Sequence, residues 1–340
     1  SREMVYGVTA YREMFGIYKG TFWNPDGSRL AFYRMDQTMV PDYPLVDVDP
    51  DSMAVLAPEK YPMAGRTTHE VTIGVYDVKA DKTIYLKVGN PKDRYFVNIG
   101  WSPDGKTIYL KEFNRKQNEM SLDAYDAVTG DKRATLYTER HEKYITSYTS
   151  VAFLPWDADK FIIQSQKDGY NHLYLFNTKG EMLRQLTSGN FVVYDLLGFD
   201  KARKRAIILS AESSPIQSNL YAVDIATGKR TLLDNGRGVH ANIISPSGFH
   251  DRALSPDGGW IIDNYAEPTV PRNIDFINLK TDQGTRYFTA DNPWKDYAEP
   301  QISSGTIKAA DGRTDLYYRL VKPADFDPSK KYPTVVYVYG

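Results

Sequence analysis

The sequence predicts an all-β protein, a β-propeller, and three observations carry that expectation. First, a strand–turn–strand unit recurs around turns of one chemistry: Trp23-Asn24-Pro25-Asp26-Gly27, Trp101-Ser102-Pro103-Asp104-Gly105 and Leu254-Ser255-Pro256-Asp257-Gly258. Second, a strand ending in Asp or Asn before a short hairpin falls at Asp77, Asp126, Asn177, Asp224 and Asn278, in steps of 49, 51, 47 and 54 residues. A fixed period in that range, with four short strands per unit, is the mark of a propeller. Third, the Gly and Pro markers stand too close together to leave room for a long competing helix.

The elements follow in order. Residues 1–20 lack clean alternation, and Tyr6-Gly7 marks a turn. Alternation starts at Thr21-Phe22-Trp23, and residues 30–35 supply the facing strand. Pro41, Pro44, Pro50, Pro58 and Pro62 crowd residues 41–65, too many for a simple hairpin, so this segment is an excursion from the blade. Strands resume at 71–76 and 83–86, and the second unit runs from Val97 to Leu136. The third unit uses 152–154, 161–164 and 173–176; the fourth uses 197–199, 206–209 and 220–223. The fifth uses 253–255, 260–262 and 274–277. From about Gln301 the repeat disappears, and residues 332–340 read as a buried strand, expected to be cut off before anything packs on it. The expected division is a partial propeller over 1–300, about five four-stranded blades, and the start of a second domain over 301–340. An incomplete ring leaves unpaired strand edges. Both ends of the chain are therefore expected to be cut points, with earlier blades lying outside it.

Composition excludes several classes of function. Lys plus Arg total 42 and Asp plus Glu 43, a net charge of −1, so there is no basic field for nucleic acid or anionic membrane. The chain has no Cys, which removes disulfides, thiolate zinc sites and thiol nucleophiles. No apolar run reaches the ~18 residues of a membrane-spanning helix. Tyr is abundant at 26 residues, which suits strands with one wet and one dry face.

Chemistry-bearing motifs are sparse. No G-x-S-x-G elbow is present, so no hydrolase-type serine is visible. His69-Glu70 and His141-Glu142 each lack the second His of a zinc helix, and Asp47–Asp51 fails as a calcium loop because Ser52 and Pro58 occupy its Gly and Glu positions. No metal and no cofactor is expected. The turn residues Asp26, Asp104 and Asp257 read as structural, and Trp23, Trp101 and Trp260 as packing. Tyr11-Arg12-Glu13-Met14-Phe15-Gly16 stands outside the strand pattern, as a short charged helix or loop. Two readings stay open there. It is a solvated charge pair, or a carboxylate facing a closed chamber where it would hold a substrate ammonium by a charge-assisted hydrogen bond worth roughly 1.5–3 kcal/mol.

The string Glu13-Met14-Phe15-Gly16, continuing through Lys19-Gly20-Thr21-Phe22-Trp23-Asn24-Pro25-Asp26-Gly27 to Leu30-Ala31-Phe32-Tyr33-Arg34-Met35-Asp36, resembles the propeller of dipeptidyl peptidase IV and its bacterial relatives in the prolyl oligopeptidase family. Tyr61-Pro62-Met63-Ala64-Gly65 and Lys167-Asp168-Gly169-Tyr170-Asn171-His172-Leu173-Tyr174 carry the same resemblance. It implies an eight-bladed propeller above an α/β-hydrolase domain, with residues 301–340 as that domain's opening strands and the catalytic triad downstream. Dipeptidyl members hold the substrate's amino group with two consecutive glutamates. The second maps to Glu13, but the first maps to Arg12, a departure that resembles the prolyl tripeptidyl peptidases. Phe153 is implied, by a weaker match, as a wall of the substrate cavity, with a core aromatic as the alternative and safer reading. The expected partners are peptides with a free N-terminus and a proline, and the chain's own hydrolase domain; a homodimer is compatible, and export to a bacterial periplasm or surface is implied. The rival reading is a non-catalytic propeller that binds proteins or glycans, with the last forty residues as a linker.

Overall fold

The computed structural model describes residues 2–146, 149–240 and 253–338, and of Arg12 and Glu13 the backbone alone. Among these residues the chain is all-β apart from one 310 helix, Tyr11–Gly16. The first blade joins β1 (Met4–Tyr6), β2 (Thr21–Trp23) and β3 (Arg29–Asp36) to β8 (Glu70–Asp77) and β9 (Lys82–Tyr85). Its proline-rich excursion forms two small ribbons, β4 (Asp42–Tyr43) with β7 (Glu59–Lys60) and β5 (Val46–Asp47) with β6 (Val55–Leu56). The second blade is β10 (Arg94–Trp101), β11 (Thr107–Asn114), β12 (Glu119–Asp126) and β13 (Lys132–Arg140), and the third is β14 (Ala152–Leu154), β15 (Asp157–Ser165), β16 (His172–Asn177) and β17 (Met182–Gln185). The fourth is β18 (Val193–Asp200), β19 (Arg205–Ser210), β20 (Asn219–Asp224) and β21 (Arg230–Leu232). Three strands of a fifth follow, β22 (Trp260–Glu267), β23 (Val270–Asn278) and β24 (Gln283–Thr289), and then the hairpin β25 (Gln301–Lys308) and β26 (Asp315–Lys322). The chain divides into two compact units, 1–212 with 221–231, and 213–220 with 232–340.

The recurring Asp and Asn markers have one structural task. Each carboxylate or amide oxygen accepts backbone N–H groups of the hairpin that follows: Asp77 from Ala80 at 2.9 Å, Asp126 from Val128 and Thr129 at 2.8 Å, Asp224 from Thr227 at 2.7 Å and Asn278 from Lys280 at 2.9 Å. Short polar side chains that satisfy their own turn are what such positions select. The hairpin glycines add a second repeat. A Cβ at Gly130 would lie 2.4 Å from the carbonyl oxygen of Tyr85, and one at Gly180 2.4 Å from that of Leu136, so each hairpin is seated against the outer strand region of the blade before it. Both also sit at positive φ, 75° and 89°, where only glycine is comfortable.

The cores of the first unit lie between successive blades, as stacked repeats require. Phe96, Ile108, Leu110 and Phe113 of the second blade meet Tyr33, Val71 and Ile73 of the first, and Tyr109, Leu122 and Ala124 meet Phe161, Tyr174 and Phe176 of the third. Middle strands buried on both faces carry continuous apolar runs, such as 206–209 of β19, whereas β3 alternates. Three expectations need correction. In the fifth unit, residues 253–255 contribute a single bridge, Leu254 to Ile261, rather than a strand, and 241–252 lie outside the described residues. Trp23 and Trp260 are exposed, and only Trp101 packs, its indole donating to the carbonyl of Phe22 at 3.0 Å. Val335–Val338 form no strand and are exposed, because an apolar strand needs a neighbour to pair with and the described chain offers none there.

Candidate functional site

The 310 helix Tyr11–Gly16 is an isolated turn between extended residues, Ala10 before it and Ile17 after it. Two of its non-glycine residues are left-handed, Tyr11 at φ 55° and Phe15 at φ 60°. Each such residue costs roughly 1–2 kcal/mol and persists only where its surroundings hold it.

The surroundings are the second blade. The Tyr11 ring stands edge-on to Tyr95 with centroids 5.1 Å apart, and Phe15 lies 5.2 Å from both Tyr95 and Phe113. Both rings are buried, and burial pushes the Tyr11 phenol well above its ordinary pKa, although the hydrogen bond from Phe96 acts the other way. The hydroxyl is thereby kept neutral, and it accepts the backbone N–H of Phe96 at 3.0 Å. At the other end of the helix the Asn98 amide donates to the Phe15 carbonyl at 2.9 Å. Asn98 is itself left-handed, at φ 55°, within a register break of β10 between Val97 and Gly100. Arg115 braces the platform by hydrogen bonding the Tyr95 hydroxyl, and Arg94 grips Glu112 through two contacts of 2.6 Å.

Arg12 and Glu13 lie between these two clamps, and their side chains are outside the described residues. Met14, next along, is exposed. The backbone that carries position 13 is thus fixed from both sides by buried aromatics and hydrogen bonds. Beside the helix an open cleft of about 1020 Å³ is lined by Arg2, Met35, Gln37, Glu59, Lys60 and His69, among others. His69 joins cleft and helix, its ring edge-on to Tyr11 at 6.5 Å. Asp42 accepts from Arg2 at 2.7 Å and faces Lys60 at 3.6 Å, so the cationic rim is partly neutralised. A charged wall next to a rigid turn is suited to holding one polar end of an extended ligand.

Phe153, in β14, is half-buried and belongs to an aromatic cluster, 5.2 Å from Tyr109 and 5.5 Å from Phe161. Its ring neighbours are core residues of the second and third blades. Sequence reasoning missed Asn98, Tyr95 and Arg115. The available signal was a lone amide inside the otherwise apolar run Tyr95-Phe96-Val97-Asn98-Ile99, directly before Gly100.

The comparisons with known proteins agree with this architecture. The family described as the dipeptidyl peptidase IV (DPP IV) N-terminal region matches residues 1–272. A probable dipeptidyl peptidase 4 of Aspergillus flavus is 27% identical over 99% of the chain, and a probable dipeptidyl-aminopeptidase B of Talaromyces marneffei is 26% identical over 96%. Among solved structures, a candidate dipeptidyl aminopeptidase IV from Bacteroides ovatus superposes with a TM-score of 0.88 over the whole chain at 42% identity. Porphyromonas gingivalis dipeptidyl peptidase 4 gives 0.83 over 98% of the chain at 26% identity. The chain spans less than half the length of each: 45% and 39% of the two fungal proteins, 49% and 46% of the two bacterial ones.

Proposed function

This chain belongs to the dipeptidyl peptidase IV N-terminal region family, and on that premise we propose that it is the propeller of a serine exopeptidase that removes short prolyl peptides from free N-termini. The propeller gates access and anchors the substrate's ammonium; the nucleophile is supplied by a hydrolase domain whose opening strands are residues 301–340. The observation that carries the reading is the 310 helix Tyr11–Gly16, clamped on β10 so that position 13 has a fixed place.

Glu13 is the anchor, and Arg12 orients it or a peptide carbonyl; Phe153, packed against Tyr109 and Phe161, is given no substrate contact. A carboxylate holding an ammonium in a desolvated site contributes roughly 1.5–3 kcal/mol, about ten- to a hundredfold in kcat/KM. Because each extended residue spans about 3.3–3.6 Å, the distance from anchor to nucleophile counts residues. Because Arg12 in place of the first glutamate resembles the prolyl tripeptidyl peptidases, we favour three residues over two, hence release of Xaa-Xaa-Pro. Export to the bacterial periplasm or surface belongs to the same proposal.

The test uses the full-length protein with chromogenic amides of Ala-Ala-Pro and Ala-Pro. Preference for Ala-Ala-Pro is expected, and preference for Ala-Pro removes the tripeptide reading. Glu13→Gln should reduce kcat/KM for free-amino substrates by tenfold or more while sparing an N-acylated analogue. Equal loss on both substrates would show that Glu13 does not bind the ammonium.

A further inference from the structure

We propose that Asn98 is a positioning residue for the N-terminus anchor, acting through the Phe15 carbonyl, with the Tyr11 hydroxyl as its counterpart on the other side. The inference rests on the reading of Glu13 given above and adds what holds it in place. Among the described residues β10 is the edge strand of its sheet, pairing only with β11, so backbone donors on its free side need partners from elsewhere. The Phe96 N–H finds one in the Tyr11 hydroxyl at 3.0 Å. At the C-terminal end of a helix the last carbonyls lack intrahelical donors. The Phe15 carbonyl finds one in the Asn98 amide at 2.9 Å.

The two hydrogen bonds bracket Arg12, Glu13 and Met14. Three residues at positive φ, Tyr11, Phe15 and Asn98, meet at this junction, whereas the other non-glycine cases among the described residues, Asp81, Asp93, Gln117, Lys204 and Asp282, are scattered along the chain. Strain gathered at one contact points to a geometry that the fold enforces. Asn suits position 98 twice over: it tolerates the left-handed region better than other side chains, and its amide supplies the donor. The register break between Val97 and Gly100 contains Asn98, and from there its side-chain amide reaches the Phe15 carbonyl. Misplacing a binding group by about 1 Å can cost about a hundredfold in rate, so an anchor on a short loop needs such a clamp.

The experiment uses the full-length protein. Asn98→Gly keeps the left-handed backbone and deletes the donor; Asn98→Asp keeps shape and backbone preference but sets an acceptor against the Phe15 carbonyl. Each is expected to lower kcat/KM on free-amino prolyl substrates about tenfold, mainly through KM. Labelling of the active serine by a fluorophosphonate should keep its wild-type rate. The decisive readout is the double variant: Glu13→Gln with Asn98→Gly should be no worse than Glu13→Gln alone, because Asn98 acts through position 13. If Glu13→Gln lowers kcat/KM while the Asn98 variants stay within about twofold of wild type, or if the two losses multiply, the positioning role is overturned. If Glu13→Gln itself has no effect, the anchor reading fails instead. Should the Asn98 variants lose fluorophosphonate labelling through misfolding, Tyr11→Phe, which deletes only the hydroxyl on the opposite side, decides by the same criteria.

Discussion

Replacing Lys111 by Met is expected to stabilise the protein at neutral pH, against the intuition that a buried, hydrogen-bonded charge is an asset. Lys111 sits in the middle of β11, fully buried, with Nζ donating to the Thr149 carbonyl at 2.8 Å. Burial pushes its ammonium from an ordinary 10.5 down to about 8, with the Glu139 charge pulling the other way. A drop of about 2.5 at about 1.36 kcal/mol each means that the folded state gives up about 3 kcal/mol to hold that proton. The sign follows from the direction. Below pH 8 both states carry the proton and the whole penalty stands. Between pH 8 and 10.5 only the unfolded chain binds it, so stability rises with pH, and above that the penalty is gone. Lys111→Met keeps the length and drops the charge. Its gain should reach up to about 3 kcal/mol at neutral pH and shrink toward zero near pH 10. Glu139 is not stranded, since it still accepts from Tyr137 at 3.0 Å and Ser165 at 2.6 Å. Urea unfolding of both proteins at neutral pH and near pH 10 measures the difference, in which other alkaline titrations cancel. A Met variant less stable by more than about 1 kcal/mol at neutral pH, or a difference that does not move with pH, would show that the Lys111–Glu139 attraction outweighs desolvation.

Two further predictions concern the rest of the fold. His240 is buried with both ring nitrogens facing acceptors: Nδ1 lies 2.7 Å from Asp263, and Nε2 lies 2.5 Å from the Arg237 carbonyl and 3.1 Å from the Asn235 oxygen. Burial alone would lower its pKa, but the Asp263 hydrogen bond and the charges of Asp263 and Asp234 raise it overall. Its stabilisation should be complete below the ordinary histidine pKa of about 6.5 and fade as pH rises through the elevated folded value. His240→Gln should accelerate amide exchange in 232–240 and 260–267 near pH 6 by an amount worth about 3 kcal/mol, with a smaller effect near pH 9; equal effects at both would refute the charged imidazole. The hairpin glycines can be tested separately. Gly130→Ala must meet the Tyr85 carbonyl as well as a positive φ, whereas Gly27→Ala, at φ 73° with nothing within 4 Å, meets only the backbone penalty. The first should cost about 2 kcal/mol more than the second by thermal unfolding, and equal costs would mean that the hairpin does not register the blades.

Much of the blade architecture was legible because its causes are local. Asp126 caps the hairpin two and three residues ahead of it, so marker, turn and period appear together in the sequence. Continuous apolar runs such as Ala206-Ile207-Ile208-Leu209 reveal strands covered on both faces. Exposure of Trp23 and Trp260 was not legible, because an aromatic at a strand end reads the same whether or not anything lies over it. The candidate site was half legible. Tyr11–Gly16 stood out because it broke the strand pattern, yet nothing nearby announces that Tyr11 and Phe15 are left-handed or what keeps them so. Their clamps come from Phe96 and Asn98, separated from them by 85 and 83 residues, on the free edge of another blade. Periodicity reports which face of a strand is dry; it carries no information about which distant backbone will borrow a donor from an unpaired edge. A site built from such borrowed hydrogen bonds is therefore found in sequence only by its misfit with the repeat, and the partner that makes it rigid only in three dimensions.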